Sequence, residues 1–272
     1  MQEANKLVED FMLLANVRVA RFLAKIHPNK NVPTRTSVYR IHDIPDPVKL
    51  CNLRVFVSRL GYEMAKPNKF NSESLIRDLL HSTKNTPIAE TVKTMAIRSM
   101  AKAEYSTENI GHYGLSFPYY THFTSPIRRY PDVLVHRLLQ HYLDGAKDAG
   151  REELDKNCHH CGVMEKRAAE AERASIKYKQ VEFLKTRIGK TFQGIVSGAV
   201  PRGIFVEIRE NKCEGFVPKE AFPIDHWIFD EDRVGFEAMR SGELIALGDE
   251  VTIRVASADL LKRQVEFEIL VK

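Results

Sequence analysis

The sequence has 272 residues, 43% of them hydrophobic, a mean hydropathy of −0.31 and a formal net charge of +5 with a pI near 8.9. That length suits about two domains, and no apolar run approaches the ~20 residues that a membrane-crossing helix needs. The charged opening MQEANKLVED lacks the apolar core of a secretion signal, and four cysteines are too few for a disulfide scaffold. A reducing, cytoplasmic setting with no membrane contact is the expectation, and the positive balance favours an anionic partner only weakly.

From Leu7 to Ile26 the apolar residues Phe11, Leu13, Leu14, Val17, Val19, Phe22 and Leu23 surround the axis, the pattern of a buried helix that ends at His27-Pro28. No capping residue precedes it, so the chain is expected to open part-way through a domain. SVYRIHD reads as a short strand. Pro47–Leu60 reads as an amphipathic helix stopped by Gly61, and Ser74–Leu80 as another helix. Thr86-Pro87 offers a cap and a first-turn proline for a helix to about Ala103. Helices are also expected over Asp132–Leu143 and over Glu152–Phe183, which is rich in Ala, Glu, Lys and Arg. At Ile188 the texture changes to period-two alternation around glycines, in GKTFQGIVSGAVPRGIFVEI and again in DEVTIRVASADLLKRQVEFEIL. Short strands with glycine turns predict a small closed barrel, and a domain boundary falls near Lys185–Gly189.

The stretch YYTHFTSPIRRYPDVLVHR sets two adjacent arginines after a Thr-Ser-Pro turn. Ser125 and Pro126 read as an N-cap and first helical position, with Arg128 and Arg129 in the first turn. Cations there oppose the helix dipole by a few tenths of a kcal/mol, yet the free backbone N–H groups favour an anion that the arginines would share. A phosphate satisfies both, because a planar guanidinium grips it bidentately. Pro131 is expected to end this turn and start the next helix, leaving Arg128 on a bend. The bland alternative is a solvated basic turn with Arg129 paired to Asp132.

The longer stretch GHYGLSFPYYTHFTSPIRRYPDVLVHRLL resembles the signature of the RNase II/RNase R family of 3′-to-5′ exoribonucleases, and the THF and RRYPD segments bring it closer to the RNase R branch. EANKLVEDFMLLANVRVARFL is similar to the family's helix after its catalytic aspartates, YRIHDIPDP to the segment following it, and EKRAAEAERASIKYKQVEFL to the helix that leaves the catalytic domain. The resemblance implies an α+β fold: the mostly helical C-terminal part of an RNB catalytic domain over residues 1–185, then an OB-fold (S1-type) β-barrel over 186–272. It implies processive hydrolysis of single-stranded RNA to nucleoside 5′-monophosphates. Arg128 matches the family arginine that contacts phosphate beside the scissile bond, where one well-placed donor contributes roughly 3 kcal/mol. Glu9 matches a glutamate that grips RNA near its 3′ end, a fit task for a carboxylate that can accept from a 2′-hydroxyl. An exposed helix residue is its plainer reading. Glu170 or Glu172 matches a further substrate-facing glutamate, the register leaving both open. Arg129 is grouped with these RNA-contacting positions. His112, Tyr120 and His122 lie inside the signature and read best as packed structural residues.

Residues 188–272 resemble an S1 domain. Such a barrel needs an aromatic for base stacking beside basic groups for the backbone; Phe205, Asp259 and Arg263 match its usual binding positions. Arg202 and Pro218 depart from the module's common aromatic and histidine, which predicts weaker stacking and stronger electrostatics. Phe205 as plain core remains the alternative, and Phe192 has the same mixed status. FDEDR, Asp230 to Arg233, is acidic enough to suggest a metal, with a surface loop the better reading.

The family's hydrolysis is attributed to divalent metal, normally Mg²⁺, held by aspartates before the first helix. No comparable cluster stands in this sequence, so no metal is expected to be held by this chain. The expectation is therefore an incomplete enzyme, inactive by itself, whose partners are single-stranded RNA and the missing N-terminal part in the same or a separate chain. A non-catalytic RNA-binding protein on the same scaffold is the competing class. NCHHCG, Cys158 to Cys161, invites zinc, but consecutive helical residues cannot all face one tetrahedral ion, and Cys51 and Cys213 stand alone. Helix packing is the default there.

Overall fold

The computed structural model describes residues 2–25, 34–67, 72–86, 88–223, 225–231 and 234–271, and these form two compact units. The expected helix end at His27-Pro28, Pro87, and positions 232 and 233 of FDEDR lie outside the described residues.

The first unit combines residues 1–46 with 100–169. Its helices are α1 (Gln2–Ala24), α5 (Tyr130–Leu143) and the first part of α6 (Arg151–Lys185); strand β1 (Tyr39–Ile41) pairs antiparallel with β2 (Glu104–Ser106). Helix α1 departs from the buried pattern. Ala20, Leu23 and Ala24 are inside, whereas Leu7, Val8, Phe11 and Leu14 are exposed, so its N-terminal half carries an open apolar face. Leu23, Val38, Val135, Leu138, Tyr142, Leu154 and Cys158 form one core.

The second unit combines residues 47–99 with 170–272. Helix α2 (Pro47–Arg59) stops as expected: Gly61 has φ +83°, and the Tyr62 N–H returns to the Val57 carbonyl. Helices α3 (Ser72–Ser82) and α4 (Ala89–Ser99) follow. The last of these ends before the predicted Ala103, and the hydroxyl of Thr86 donates back to the Thr83 carbonyl instead of capping it. Strands β3 (Thr191–Val200), β4 (Gly203–Ile208), β5 (Glu214–Pro218), β9 (Glu250–Asp259) and β10 (Gln264–Val271) close a barrel in the order β10-β5-β4-β3-β9. This is the expected OB-type barrel, and the molecule is α+β. Between β5 and β9 lies a separate antiparallel sheet of β6 (Trp227–Asp230), β7 (Gly235–Ala238) and β8 (Leu244–Ala246). Thus Asp230, expected in a loop, ends a strand and lies 3.7 Å from Arg59 as an ion pair. No described helix is long and apolar enough to cross a membrane.

Candidate functional site

The Ser125–Arg129 segment is a tight turn and not the start of a helix. The N–H groups of Arg128 and Arg129 both donate to the Ser125 carbonyl, at 3.3 and 3.1 Å. Pro131 explains the difference: in a helix begun at Pro126 its ring would strike the carbonyl four residues earlier. The helix instead begins at Tyr130, with extended Arg129 as its cap and Pro131 in the first turn, where the missing N–H costs nothing. Asp132 fixes this geometry. Its side chain is 0% exposed. One oxygen accepts the Ser125 N–H at 2.7 Å and Arg129 Nη2 at 2.8 Å, and the other faces Arg129 Nε at 2.8 Å, off the hydrogen-bond axis. The pairing weighed as the bland alternative is therefore present. It commits Arg129 and leaves Arg128, exposed on the turn, with no side-chain partner among the described residues.

A groove of about 400 Å³ runs beside the turn, lined by Val8, Glu9 and Asn16 of α1 and by Tyr120, Thr124 and Arg129. Glu9 and Asn16 share a face because they are seven residues apart, two helical turns. Glu9 is exposed, while Asn16 is buried and ties the signature segment down: it donates to the Tyr120 hydroxyl at 3.2 Å and accepts the Phe123 N–H at 3.0 Å. Beneath lies a layer of rings, His112–Tyr120 at 5.2 Å and Tyr120–His122 at 5.7 Å between centroids. Burial, with help from Arg129 and Arg40, pushes His122 down to about 3; burial and His42 push His112 down to about 4. Both are neutral at pH 7. Burial also raises the Tyr105 hydroxyl to about 12, and it shares a 2.8 Å hydrogen bond with His122 Nδ1. The rings of His112, Tyr120 and His122 thus contact one another, and Tyr120 also lines the groove.

Glu170 and Glu172 are both exposed on α6. Two residues apart, they point about 200° from one another around the axis, so one surface can use only one of them.

On the barrel, Ile204, Val206 and Ile208 point inward while Phe205 is 36% exposed, so Phe205 belongs to the outer surface and not the core. Phe192 packs against the core, half-buried. Asp259 caps the β9–β10 turn, accepting the N–H groups of Leu261 and Lys262 at 2.8 and 3.0 Å. The Lys262 N–H is the main cause that holds its carboxyl below the usual range. Arg263 is exposed in that turn with φ +56°.

The RNB domain model matches residues 1–145 and the S1 RNA binding domain model residues 185–270. The chain belongs to the RNase II/RNase R family. It is 36% identical to Ribonuclease R of Aquifex aeolicus, over 99% of this chain and 37% of the relative. Its fold is similar to that of Mycoplasma genitalium RNase R in complex with ribose-methylated single-stranded RNA (TM-score 0.85, 29% identity, 98% of this chain and 42% of that one). The yeast pseudonuclease Ssd1 shares the fold alone, with a TM-score of 0.67 and 22% identity over 85% of this chain and 29% of its own. The chain thus spans just over a third of the length of its curated RNase R relative.

The family's metal does not fit the residues present: no group of three or more His, Cys, Asp or Glu side chains among the described residues could hold an ion. In NCHHCG, Cys158 and Cys161 are buried and His159 and His160 exposed, so the four split across two faces of α6. Burial pushes the Cys158 thiol up to about 12, the state of a packing residue. Sequence reasoning missed Asn16 and Arg40. The latter grips Glu165 with two bonds of 2.7 and 2.9 Å and lies over the Tyr105 ring. Only its place beside a strand residue hinted at this. Asp132 was signalled by its i,i+3 spacing from Arg129.

Proposed function

We propose that this chain provides the phosphate-stabilising and RNA-gripping parts of an RNase R-like 3′-to-5′ exoribonuclease, acting on single-stranded RNA in the cytoplasm. The observation that carries this reading is the division of labour between two adjacent arginines. Asp132, fully buried, holds Arg129 and the Ser125 N–H, and so presents Arg128 outward on a braced turn. A guanidinium carried on a fixed turn and not committed to a carboxylate can meet phosphate oxygens, where it would stabilise the charge that develops as a phosphodiester is attacked. Glu9, on the groove wall, would accept from a ribose hydroxyl, and Glu170 or Glu172 would also face RNA. Phe205 and Arg263 would take a base and a phosphate on the barrel, with Asp259 shaping the turn that bears Arg263. We assign residues 1–185 to the RNB part and 186–272 to the S1 part.

The described residues bring together no group of three or more His, Cys, Asp or Glu side chains, and in this reading the chain's groups bind, orient and neutralise charge while the metal that activates water is held elsewhere. Without an activated water, phosphodiester hydrolysis stays near its very slow background. The carboxylates would come from the remainder of an RNB domain, in the same polypeptide or another. The same observation favours a second reading, a non-catalytic RNA-binding protein on this scaffold. Incubating the purified chain with 3′-tailed RNA and millimolar magnesium, with and without an aspartate-bearing RNB segment, separates them. Shortening of RNA only on mixing supports the exonuclease reading. Shortening by the chain alone contradicts the metal argument, and binding without shortening in either case favours the binding protein.

A further inference from the structure

The small β6–β8 sheet buries one face and opens the other. Trp227, Phe236, Ala238 and Ile245 join the core cluster of the barrel. Their outward alternates are Ile228 and Asp230 on β6, and Glu237 and Met239 at β7. Register sets these side chains out: Ile228 lies opposite Glu237, and Glu237 opposite Leu244 on β8. On β6 an apolar side chain is thus followed by an acidic one about 7 Å along the strand, and on β7 the acidic one comes first. Together with Phe229 and Glu231, these four line a groove of about 500 Å³. Ile228 is 45% exposed and Met239 63%, so two large apolar side chains stand in water on one small face.

Charge decides what fits there. Asp230, Glu231 and Glu237 put three carboxylates on one groove of a chain whose formal net charge is +5. They repel a phosphate backbone and attract cations. The fold itself brings one cation to this edge, the Arg59 guanidinium, 3.7 Å from Asp230. We propose that this face of the β6–β8 sheet docks an extended segment of a partner protein, in which a large apolar residue and a Lys or Arg stand two positions apart. In an extended chain such residues fall on one side at the same spacing of about 7 Å, so the apolar group meets Ile228 or Met239 while the cation meets Asp230 or Glu237. The flexible thioether of Met239 adapts to apolar groups of different shape.

The test is a titration of the full chain against a labelled synthetic peptide of alternating Leu and Lys, followed by fluorescence anisotropy, with an alternating Leu and Glu peptide and oligoadenylate as comparisons. The parent should bind the Lys peptide and not the Glu peptide. Met239→Ser and Glu231→Lys should each weaken the Lys peptide about 5-fold or more and leave oligoadenylate binding unchanged. Trp227, buried in β6 itself, reports whether each variant keeps the sheet. Should Met239→Ser disturb its emission, Glu231→Lys, which lies beyond the end of the strand, decides alone. No binding of the Lys peptide by the parent, or binding that neither variant weakens, would overturn the proposal. A loss of oligoadenylate binding in variants with parental Trp227 emission would overturn it too, and would give this face to RNA.

Discussion

Around the arginine turn, the groups that fix geometry are polar and buried. Asp132, Thr121 and Asn16 are each at most 4% exposed, and each holds backbone of the signature segment or of the strand beside it. In the barrel, geometry is fixed by Ile204, Val206, Ile253 and Phe267; the candidate binding residue Phe205 is an outward alternate of β4, and Asp259 and Arg263 lie at the β9–β10 turn. The contrast teaches where precision comes from. An apolar core tolerates small adjustments, because dispersion contacts are many and weak. A buried carboxylate tolerates none, since losing one partner leaves a charge without compensation. The phosphate-facing arginine sits on the second kind of support.

The largest expected effects compare these supports directly. Phe267→Ala, which empties the space against Gly215, should cost about 3–5 kcal/mol in the barrel. Asp132→Ala, which strands Arg129 and the Ser125 N–H, should cost about 3–5 kcal/mol in the first unit. Trp227, the single tryptophan and buried, reports the barrel by fluorescence, so denaturant transitions followed there and by far-UV circular dichroism keep the two losses apart. Phe267→Ala should move the tryptophan transition, and Asp132→Ala the helical one. If Asp132→Ala leaves the helical signal unmoved, the brace is not structural.

A smaller effect sharpens the contrast through pH. His122 and His112 have folded pKa values of about 3 and 4, below the 6.5 of the unfolded chain. Between these limits the unfolded state binds more protons, so stability is fully present above about pH 6.5 and is lost as pH falls toward 4. Urea midpoints at pH 7.5 and 5 should differ more in the parent than in His122→Gln. Equal differences would mean that burial does not hold His122 neutral.

The sequence discloses much of this because both barrel faces follow period two and most helix ends carry glycine or proline. It fails where structure depends on distant partners. Strand β2 has three residues and exists through pairing with β1, more than 60 positions away. The β6–β8 sheet is made of strands of three or four residues, and the FDEDR segment at the end of β6 reads as loop. Ser125-Pro126 carries a true helix-start pattern, overridden by a proline five residues on.

The division of labour between the arginines has a direct measurement: the salt dependence of RNA affinity in the full chain, for Arg128→Ala and Arg129→Ala. Each phosphate contact on a single strand contributes about 0.7 to the slope of log affinity against log salt. Arg128→Ala should lower the slope by about that amount without moving the unfolding transition. Arg129→Ala should destabilise the fold and leave the slope of the remaining folded chain unchanged. The opposite assignment, a lower slope for Arg129→Ala and none for Arg128→Ala, would contradict the account.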